Sequence, residues 1–497
     1  MNKKIIAVFL SVVLLICALS ACSSPKTNQN NSQISVQTTS EAPSDSLGFK
    51  LSYSQSDSLS PFKSDTLNNQ VVQNLVFESL FIIDETNEVQ PQLATGYQYE
   101  NGKTLTVTIQ SGNIFSDGSA ITAKNIVSSF ENAKSSYRWG NSLKPISSAA
   151  AVSDTVINFK LAYKNPNAHK LLTFAIVKDE TDKKGYPIGS GRYKFGEGNG
   201  SVYLKVNKKK SDFKPHFTKI TLINITANES IENAINIGNI SYAFRDLSEG
   251  SNAKINSNKK AVDLNNLVFI GINCNAGITK NEHIRKAISL SIDREVLVKS
   301  AYQGYAKSAV SVFTSASSIG KQTAVFESTA DVSAAKQAVF QSKIEGKNLK
   351  LDILVNSNQN KNSAARLIKQ QLEAVGFKVS INKVTDKNYK SKIKNRSFDL
   401  YIGETKIPAD MNLSSFFTEK GETRYGINLS GNCAKAYKGY LDSKNEIGTF
   451  ILNFSQEMPF IPLLYRQGMI CYSKSLHGDM QGYVDNYFSN IQDWYYN

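Results

Sequence analysis

The chain has 497 residues and a formal net charge of +15 at pH 7, with 41% hydrophobic and 10% aromatic residues. This length predicts more than one lobe, and the composition excludes a largely disordered or fibrous protein. Beyond the N-terminus no apolar run is long enough to span a bilayer, which excludes a multi-span membrane protein. The cysteines form no CxxC pair, which argues against a zinc ribbon, a thioredoxin-type redox site and a disulfide scaffold.

The N-terminal segment has the pattern of an export signal. Lys3 and Lys4 precede an apolar run over residues 5–19, which ends in Leu19-Ser20-Ala21-Cys22. This end resembles the lipobox of bacterial lipoproteins, in which the signal is cut before the cysteine and its thiol is lipidated. The alternative is an ordinary signal peptide with a chance cysteine. We therefore predict a signal peptide over 1–21 and a lipid attachment site, carrying palmitate, at Cys22.

A polar segment follows this cysteine. Residues 22–47 are mostly Ser, Thr, Asn and Gln, which cannot bury enough apolar surface to fold, so they predict a flexible tether. The expected location is the extracytoplasmic face of a bacterial cell membrane. Cys274, Cys433 and Cys471 remain in the mature chain, and we expect three structural thiols, although a pair among them stays open.

Local signals predict a β-rich first part. Asn101-Gly102 is a strong two-residue turn and predicts a hairpin over residues 97–109. Thr122 is a plausible N-cap for a helix that extends to Ala133. Strands are predicted near residues 193–195 and 202–206.

The second part alternates strands and helices. Apolar periodicity predicts that residues 283–300 are helical, with Asp293 capping a following turn that includes Val296 and Leu297. A strand over 349–355, a helical stripe over 364–375 and a strand over 379–384 predict a right-handed βαβ unit with parallel strands. The body is therefore α/β, with a more β-rich first part.

Four stretches, in this order, resemble the family 5 extracellular solute-binding proteins of ABC importers, which include dipeptide-, oligopeptide- and nickel-binding proteins. The stretches are Leu59-Ser60-Pro61-Phe62 with Phe77-Glu78-Ser79-Leu80, Pro91-Gln92-Leu93-Ala94 and Phe115-Ser116-Asp117-Gly118; Gly189-Ser190-Gly191-Arg192-Tyr193; Ile284-Arg285-Lys286-Ala287-Ile288 with Ser291-Ile292-Asp293-Arg294; and the block from Ala364 through Phe398-Asp399-Leu400 to Pro459-Phe460-Ile461-Pro462-Leu463. The resemblance covers nearly all of residues 48–480.

This resemblance implies a two-lobed, periplasmic-binding-protein-like α/β fold of the class II, or cluster C, type, with mixed sheets and a hinge of two crossover segments. Lobe I is expected over residues 48–268 and again over 459–497, and lobe II over 269–458. The crossovers are expected at 267–270 and 460–463. In this design a ligand closes the lobes, and the closed form docks on a membrane permease.

The resemblance also implies a function in transport. We expect a monomeric, membrane-anchored lipoprotein that captures a peptide or an amino-acid-like zwitterion and delivers it to the permease subunits of an ABC transporter. The alternatives are a binding protein that serves a signalling receptor, one that binds a nickel chelate, and a cell-surface hydrolase.

Candidate ligand contacts follow the strand at Asp399-Leu400. Peptide-binding members of the family have a Gly-Trp and an Ala-Asp there, whereas this chain has Glu404 in place of the Trp and two extra residues before Ala409-Asp410. Lys406 would bind a carboxylate, and Glu404 or Asp410 an ammonium; a solvated loop of scattered charges is the alternative.

Three further residues complete the predicted site. The guanidinium of Arg466 would take a ligand carboxylate in two hydrogen bonds, or else form an interlobe salt bridge to Glu404. Tyr425 and Asn428 are predicted to line the cleft, with simple packing as the alternative.

Other chemistries have weak support in the sequence. The four histidines are isolated, with no HExxH or HxH spacing, so we expect neither a metal nor a cofactor. Ser60-Pro61-Phe62-Lys63 fits the SxxK motif of penicillin-binding enzymes, but the SDN and KTG partners are absent, so we expect no enzyme activity. The basic residues are spread along the chain without a nucleic-acid-binding motif, so we expect no nucleic-acid partner.

Overall fold

The computed structural model describes residues 48–84, 86, 88–248, 250 and 255–497. All of them belong to one unit of the chain, Asp45–Asn497. The predicted signal peptide, the predicted tether and the predicted lipid attachment site Cys22 lie outside the described residues.

The described residues up to Arg245 form strands and three helices. The strands are β1 Phe49–Tyr53, β2 Phe81–Ile83, β3 Val89–Pro91, β4 Ala94–Glu100, β5 Thr104–Ile109, β6 Ile146–Ala151, β7 Val156–Leu161, β8 Tyr193–Gly198, β9 Ser201–Val206, β10 Lys219–Asn224 and β11 Tyr242–Arg245. The helices are α1 Leu67–Gln73, α2 Ala123–Ser135 and α3 Asn228–Asn236.

The rest of the chain is richer in helices. The strands are β12 Asn258–Ile272, β13 Ala306–Ser308, β14 Lys350–Val355, β15 Lys378–Lys383, β16 Leu400–Lys406, β17 Phe460–Tyr472, β18 Leu476–His477 and β19 Tyr495–Tyr496. The helices are α4 Glu282–Ser291, α5 Arg294–Val296, α6 Ser318–Gln322, α7 Val332–Gln341, α8 Gln359–Glu373, α9 Asp386–Lys394, α10 Ser414–Phe417, α11 Asn432–Leu441 and α12 Ile447–Glu457.

One large mixed sheet runs through the molecule. Its strand order is β15-β14-β16-β12-β17-β11-β1-β10-β9-β8, with β13 also paired to β17. The two long strands β12 and β17 lie side by side and antiparallel at its centre. A separate four-stranded sheet, in the order β4-β5-β7-β6, forms the β-rich part predicted for the first half.

Buried apolar side chains of the described residues form four clusters, two in each of two lobes. We call lobe I the elements from β1 to β11 together with residues 473–497; its core includes Phe49, Tyr193 and Trp494. We call lobe II the elements from α4 to α12 with β13–β16; its two clusters include Ile288 and Phe269. Strands β12 and β17 belong to both lobes, so they are the two segments that connect them.

A local irregularity marks where these strands pass from one lobe to the other. The pairing of β12 with β17 shifts register between Asp263 and Leu267, which face Gln467 and Tyr465. Leu264 packs in the core of lobe I, and Leu267 packs in that of lobe II. The change of core therefore occurs a few residues before the predicted crossover 267–270 in β12 and a few residues after 460–463 in β17. A bulge between two continuous strands is a suitable hinge.

The local signals for the first half are confirmed. Strands β4 and β5 form the predicted hairpin, and Asn101 and Gly102 adopt positive φ angles of 51° and 67°, as this turn requires. Helix α2 begins after Thr122, whose backbone N–H donates to Asn125 Oδ1 at 2.9 Å. Strands β8 and β9 also lie where they were predicted.

In the second half the βαβ prediction is confirmed, since β14 and β15 pair in parallel and α8 connects them. The stretch predicted as helical over 283–300 is divided after Ser291, and the predicted capping of the following turn by Asp293 is confirmed. Helix α4 ends at Ser291, because Ile292 and Asp293 have extended backbones and Asp293 Oδ1 accepts from Val296 N at 2.9 Å to begin α5. The break lets the buried Arg294 side chain donate to the carbonyl of Pro462 at 2.9 Å.

The three cysteines in the described residues are buried thiols, as expected, and none forms a disulfide with another. Burial raises the pKa of Cys274 to about 11 and that of Cys471 to about 12. Both thiols are therefore protonated at neutral pH and act as small apolar side chains.

Candidate functional site

A cluster of charges occupies the hinge. Arg466 lies on β17 opposite the β12 bulge, and its Nε donates to Glu404 Oε1 at 2.5 Å. The other oxygen of Glu404 lies 3.6 Å from Lys361 Nζ, and Asn266 Nδ2 donates to Glu404 Oε1 at 3.1 Å. The structure thus brings together two of the predicted site residues, Glu404 and Arg466, in the salt bridge that the sequence left as an alternative.

This hinge cluster also connects the two lobes. A second nitrogen of Arg466 donates at 2.6 Å to the backbone carbonyl of Asp246, which directly follows β11 of lobe I. Asn358, at the start of α8, donates to the carbonyl of Ser248 at 3.1 Å. Burial favours the neutral form of Glu404, but the charges of Arg466 and Lys361 outweigh it and lower the pKa of this carboxyl group.

Asp410 lies apart from the hinge cluster, at a second contact between the lobes. The residue is only 4% exposed, and its Oδ2 accepts from Asn165 Nδ2 in lobe I at 2.7 Å. Beside it, Asn412 donates to the hydroxyl oxygen of Tyr163 at 3.0 Å. Burial raises the pKa of Asp410 to about 6, although Asn165 and the charge of Lys170 favour the ionised form.

The other three predicted residues do not form a cluster with these. Lys406 is exposed at the end of β16. Tyr425 is half-buried, with the guanidinium of Arg424 4.5 Å from its ring centre. Asn428 is exposed, and its Oδ1 accepts from Ser430 N within its own turn at 3.1 Å.

A polar cavity of about 190 Å³ lies in lobe I, on residues that sequence reasoning did not select. Its wall combines the end of α1, the turns after α2 and the C-terminal segment. The lining residues that matter for its chemistry are Gln73, Asn74, Arg138, Trp139, Arg192 and Asp485.

An ion pair stands at this cavity. Arg138 Nη2 donates to Asp485 Oδ1 at 2.7 Å, although the two residues are 347 positions apart in the chain. The Arg138 guanidinium also stacks 4.4 Å from the ring centre of Trp139. Asn74 donates to the carbonyl of Asp485 and accepts from Tyr487 N, so it holds the turn that presents the carboxylate. Asp485 itself has a positive φ of 63°, which is uncommon for a residue with a side chain.

A lysine of lobe II acts electrostatically on this ion pair. Burial favours the neutral form of Asp485, but the charges of Arg138 and then of Lys406 outweigh it and lower its pKa. Lys406, on β16 of lobe II, is therefore close enough to Asp485 of lobe I to act on it electrostatically. Lys406 itself is not among the residues that line the cavity.

Gln73 gives the cavity an unusual feature. The residue is only 2% exposed, yet within the described part of the chain neither Oε1 nor Nε2 of its side chain has a hydrogen-bond partner. An unsatisfied buried amide is costly, by about 1–3 kcal/mol, so such groups are rare in folded proteins. Gln73 lines the cavity, but its two amide atoms are themselves shielded from it.

Ser60 and Lys63 of the SxxK motif line a second, more open cavity of about 580 Å³. Ser60 accepts through its backbone carbonyl from Lys63 N at 3.1 Å, which makes the motif a tight turn. In the described ranges no hydrogen bond joins the two side chains, so the geometry of an activated serine is not formed there.

Two other kinds of feature are not found in the described residues. They hold no group of three or more His, Cys, Asp or Glu side chains arranged for a metal ion. They also contain no helix that is both long and apolar enough to cross a membrane.

The sequence gives little indication of the cavity residues that were not predicted from it. Arg138-Trp139-Gly140 follows a predicted helix, and Asp485-Asn486 is a turn dipeptide, but neither identifies the other as its partner. Gln73 lies in a helix that no sequence motif distinguishes. The three meet only because the C-terminal segment returns to lobe I.

Comparison with known proteins gives a consistent result. Residues 88–423 match the family described as bacterial extracellular solute-binding proteins, family 5 Middle. Among curated proteins, the glutathione-binding protein GsiB of Salmonella typhimurium is 25% identical over 273 residues, which are 51% of this chain and 53% of the relative. The chain thus spans about half the length of the curated relatives it matches.

Solved structures match over more of the chain. An ABC transporter substrate-binding protein from Sinorhizobium meliloti has a TM-score of 0.73 at 20% identity and covers 90% of this chain and 100% of its own. NikA from Brucella suis, solved in complex with Fe(III)-EDTA, has a TM-score of 0.68 at 18% identity, with coverage of 90% and 100%. At these identities the likeness establishes the fold, which is that of two-lobed binding proteins.

Proposed function

The chain belongs to the bacterial extracellular solute-binding proteins of family 5, and from this premise we propose that it captures a small peptide or amino-acid-like zwitterion between its lobes for an ABC importer. The observation that carries the proposal is the polar cavity of lobe I beside the ion pair of Arg138 and Asp485; the charge of Lys406, on the other lobe, also acts on Asp485. A ligand held by groups from both lobes favours their closed arrangement.

The hinge supports this mechanism. Strands β12 and β17 are continuous through both lobes, and their irregular pairing between Asp263 and Leu267 allows rotation without loss of the flanking ladders. The closed form would then be recognised by the permease subunits of the transporter. In this proposal the protein acts as a monomer and catalyses no reaction.

The ligand class rests on charge. The cavity wall and its surroundings carry both signs, with Arg138, Arg192 and Lys406 against Asp485 and Glu78. A ligand with an ammonium and a carboxylate pairs with both, which limits the cost of removing charges from water. The GsiB relatives are named as glutathione-binding, and glutathione is a short peptide of this chemical type.

Among the residues predicted from the sequence, we propose Lys406 as a direct ligand contact. Glu404 and Arg466 bind each other, and Asp410 binds Asn165, so their predicted contacts with a ligand would require these bonds to be exchanged. Tyr425 and Asn428 remain predictions at the same cleft.

Two alternative functions differ from this proposal, one in the ligand and one in the protein partner. A metal chelate is the second candidate ligand, since the related NikA fold was solved with Fe(III)-EDTA. A signalling receptor is the second candidate partner in place of the permease. We also propose that Cys22 carries the lipid that anchors the mature protein to the extracytoplasmic face of the membrane.

The anchor is tested by substitution of Cys22 with serine. The Cys22→Ser protein should appear in the medium or periplasm or remain unprocessed, whereas normal lipid labelling and membrane retention would refute the anchor.

Binding is tested by denaturing the purified mature protein and identifying the released small molecules by mass spectrometry. A peptide or amino-acid-like zwitterion supports the proposal, and a metal chelate would replace it with the second candidate.

A further inference from the structure

We infer that the outer face of the lobe I sheet docks on a membrane surface of anionic lipid. This basic face consists of Lys194, Lys205, Lys219 and Lys50, which lie on the neighbouring strands β8, β9, β10 and β1. The inference goes beyond ligand capture and takes only the anchor at Cys22 from the proposed function. Three features support it, namely the register of the lysines, the charge of the face and the place where the predicted tether joins the body.

Three of the lysines stand directly side by side. Strand β9 pairs antiparallel with β8 and β10, and Lys205 faces Lys194 on one side and Lys219 on the other. Side chains at such positions point to the same face with Cβ atoms about 4.5–5.5 Å apart, and like charges placed there destabilise a sheet. The row therefore costs the fold stability, which indicates a role in a contact outside the chain.

The row lies on the side of the sheet that is turned away from the core. One residue adjacent to each lysine in its strand is buried in the core of lobe I; these residues are Phe195, Leu204 and Ile220. Because successive residues of a strand point to opposite faces, the lysines point outward. Lys205 and Lys219 are exposed, and Lys194 is half-buried, with its Nζ donating to the carbonyl of Ser116 at 3.2 Å.

Lys50 extends the basic face to β1. It pairs with Thr221 of β10, which in turn faces Tyr203 of β9, so these side chains form a second row beside the first. The Nζ of Lys219 lies 4.4 Å from the ring centre of Tyr203, which holds this ammonium over the face. A tyrosine has an apolar ring and a polar hydroxyl, a combination that suits the lipid headgroup region.

Among the residues of these four strands, no acidic side chain shares the basic face. Glu197 of β8 points to the core side, since it alternates with Lys194, and it pairs with Lys184 at 3.4 Å. Asp117, which follows Ser116, pairs with Lys178 at 2.9 Å. The face thus carries positive charge that neighbouring carboxylates do not balance, and such a face attracts an anionic surface.

The predicted tether joins the body beside this row. Gly48 is the first of the described residues and directly precedes β1. The next residue, Phe49, pairs with Ile220, the neighbour of Lys219. The chain that links the body to the proposed anchor at Cys22 therefore enters at the border of the basic face.

The length and charge of the tether leave the docking to the body. A flexible chain over residues 23–47 has ends about 25–30 Å apart on average, so a lipid on Cys22 keeps the body close to the membrane. The charged residues of this chain are Lys26, Glu41 and Asp45, whose sum is negative, so the tether itself is not attracted to anionic lipid. The lysines of the basic face supply the attraction, which acts over about 8 Å at physiological ionic strength.

The test is sedimentation of the full mature chain with lipid vesicles, in the Cys22→Ser form so that no attached lipid contributes to binding. The vesicles contain phosphatidylcholine alone or with about one third phosphatidylglycerol. We expect binding to the anionic vesicles, little binding to the neutral ones, and loss of binding as the salt concentration rises. Lys194→Gln/Lys205→Gln/Lys219→Gln should bind the anionic vesicles at least about tenfold more weakly, because each lysine near the surface adds to the attraction.

The matched control is Lys350→Gln/Lys378→Gln/Lys383→Gln, in lobe II at the opposite end of the same sheet. Lys350 and Lys378 are exposed and also face each other, on β14 and β15. Asp352 lies two residues along β14 and therefore on the same face. The control removes the same net charge as the first triple variant and should bind the anionic vesicles like the parent protein.

Equal weakening by both triple variants would overturn the inference, because total charge rather than this face would then direct binding. Failure of the parent protein to bind the anionic vesicles would overturn it too, and so would binding to soluble poly(glycerol phosphate) without binding to vesicles. The four lysines line neither of the two cavities described above, so the proposed function stands in each of these cases. Should the triple variant fail to fold, Lys205→Gln decides, with at least about threefold weaker binding expected and unchanged binding overturning the inference.

Discussion

Two arginine–carboxylate pairs in this molecule have similar chemistry and different surroundings. At the hinge, Arg466 is buried and the pair with Glu404 is completed by Lys361, Asn266 and the carbonyl of Asp246. At the cavity, Arg138 and Asp485 have side chains that are 13% and 30% exposed. The protein itself satisfies the first pair, whereas the second keeps donors available beside a cavity. An ion pair whose hydrogen-bonding groups are all used by the protein indicates a structural role. An ion pair with unused donors beside a cavity indicates a ligand site.

The largest expected effect is at the hinge. Arg466→Ala should lower the free energy of unfolding by about 3–5 kcal/mol, because it leaves the Glu404 carboxylate buried without its main partner. Chemical denaturation measures this, with the exposed Arg366→Ala as control. A loss below about 1 kcal/mol would mean that the hinge pair is no more structural than an ordinary surface ion pair.

Asp410 extends the comparison to a buried carboxylate that accepts hydrogen bonds from two neutral groups, the side chain of Asn165 and the backbone N–H of Asn412. Its pKa is raised to about 6 in the folded protein, against about 3.9 in an unfolded chain. Its contribution to stability is therefore complete below about pH 4 and is lost as the pH rises through 6. Asp410→Asn, which stays neutral, should exceed the wild type in stability at pH 7 by up to about 3 kcal/mol and equal it near pH 4.

Urea unfolding at several pH values between 4 and 7 measures this difference, with the exposed Asp212→Asn as control. A difference between Asp410→Asn and the wild type that does not change with pH would show that Asp410 is ionised normally in the folded state.

Arg138→Gln should have the opposite profile to Arg466→Ala. Its pair is partly exposed, so we expect a loss of stability of no more than about 1 kcal/mol. Ligand affinity should fall by about tenfold or more, equivalent to about 1.4 kcal/mol. Thermal unfolding with and without a bound peptide separates the two quantities. A large loss of stability without ligand would make this pair structural as well and would remove the contrast with the hinge.

The smallest expected effect concerns Gln73. Gln73→Leu replaces an unsatisfied buried amide with an apolar group of similar size, so the ligand-free protein should gain about 1 kcal/mol of stability. Gln70→Leu, on the same helix but hydrogen-bonded to the carbonyl of Ser64, should give no such gain. If Gln73→Leu loses stability without ligand, its amide has a partner in the folded protein.

The sequence predicted the local elements, which depend on residues that are close together in the chain. The Asn101-Gly102 turn, the start of α2 after Thr122 and the β14-α8-β15 unit all follow from short-range patterns. Within the helical stretch predicted over 283–300, the capping of a new turn by Asp293 was also predicted and is confirmed, whereas the apolar periodicity gave no sign that α4 ends at Ser291.

The candidate site was predictable only in part. Glu404 and Arg466 were selected from the hinge region, and their mutual bond was one of the two alternatives. Arg138 and Asp485 are 347 residues apart, and a contact over that distance depends on how the whole chain returns to lobe I. The unsatisfied Gln73 amide is a property of packing, which no local pattern encodes.

The most direct test of the contrast between the hinge pair and the cavity pair compares the ligand retained by three purified proteins: the wild type, Arg138→Gln and Arg366→Gln. Quantitative mass spectrometry of the molecules released by denaturation identifies the ligand without a chosen probe. We expect a carboxylate-bearing, peptide-like molecule from the wild type and from Arg366→Gln, and at most about a tenth of that amount from Arg138→Gln. An equal amount from all three would contradict the assignment of the Arg138–Asp485 cavity as the ligand site.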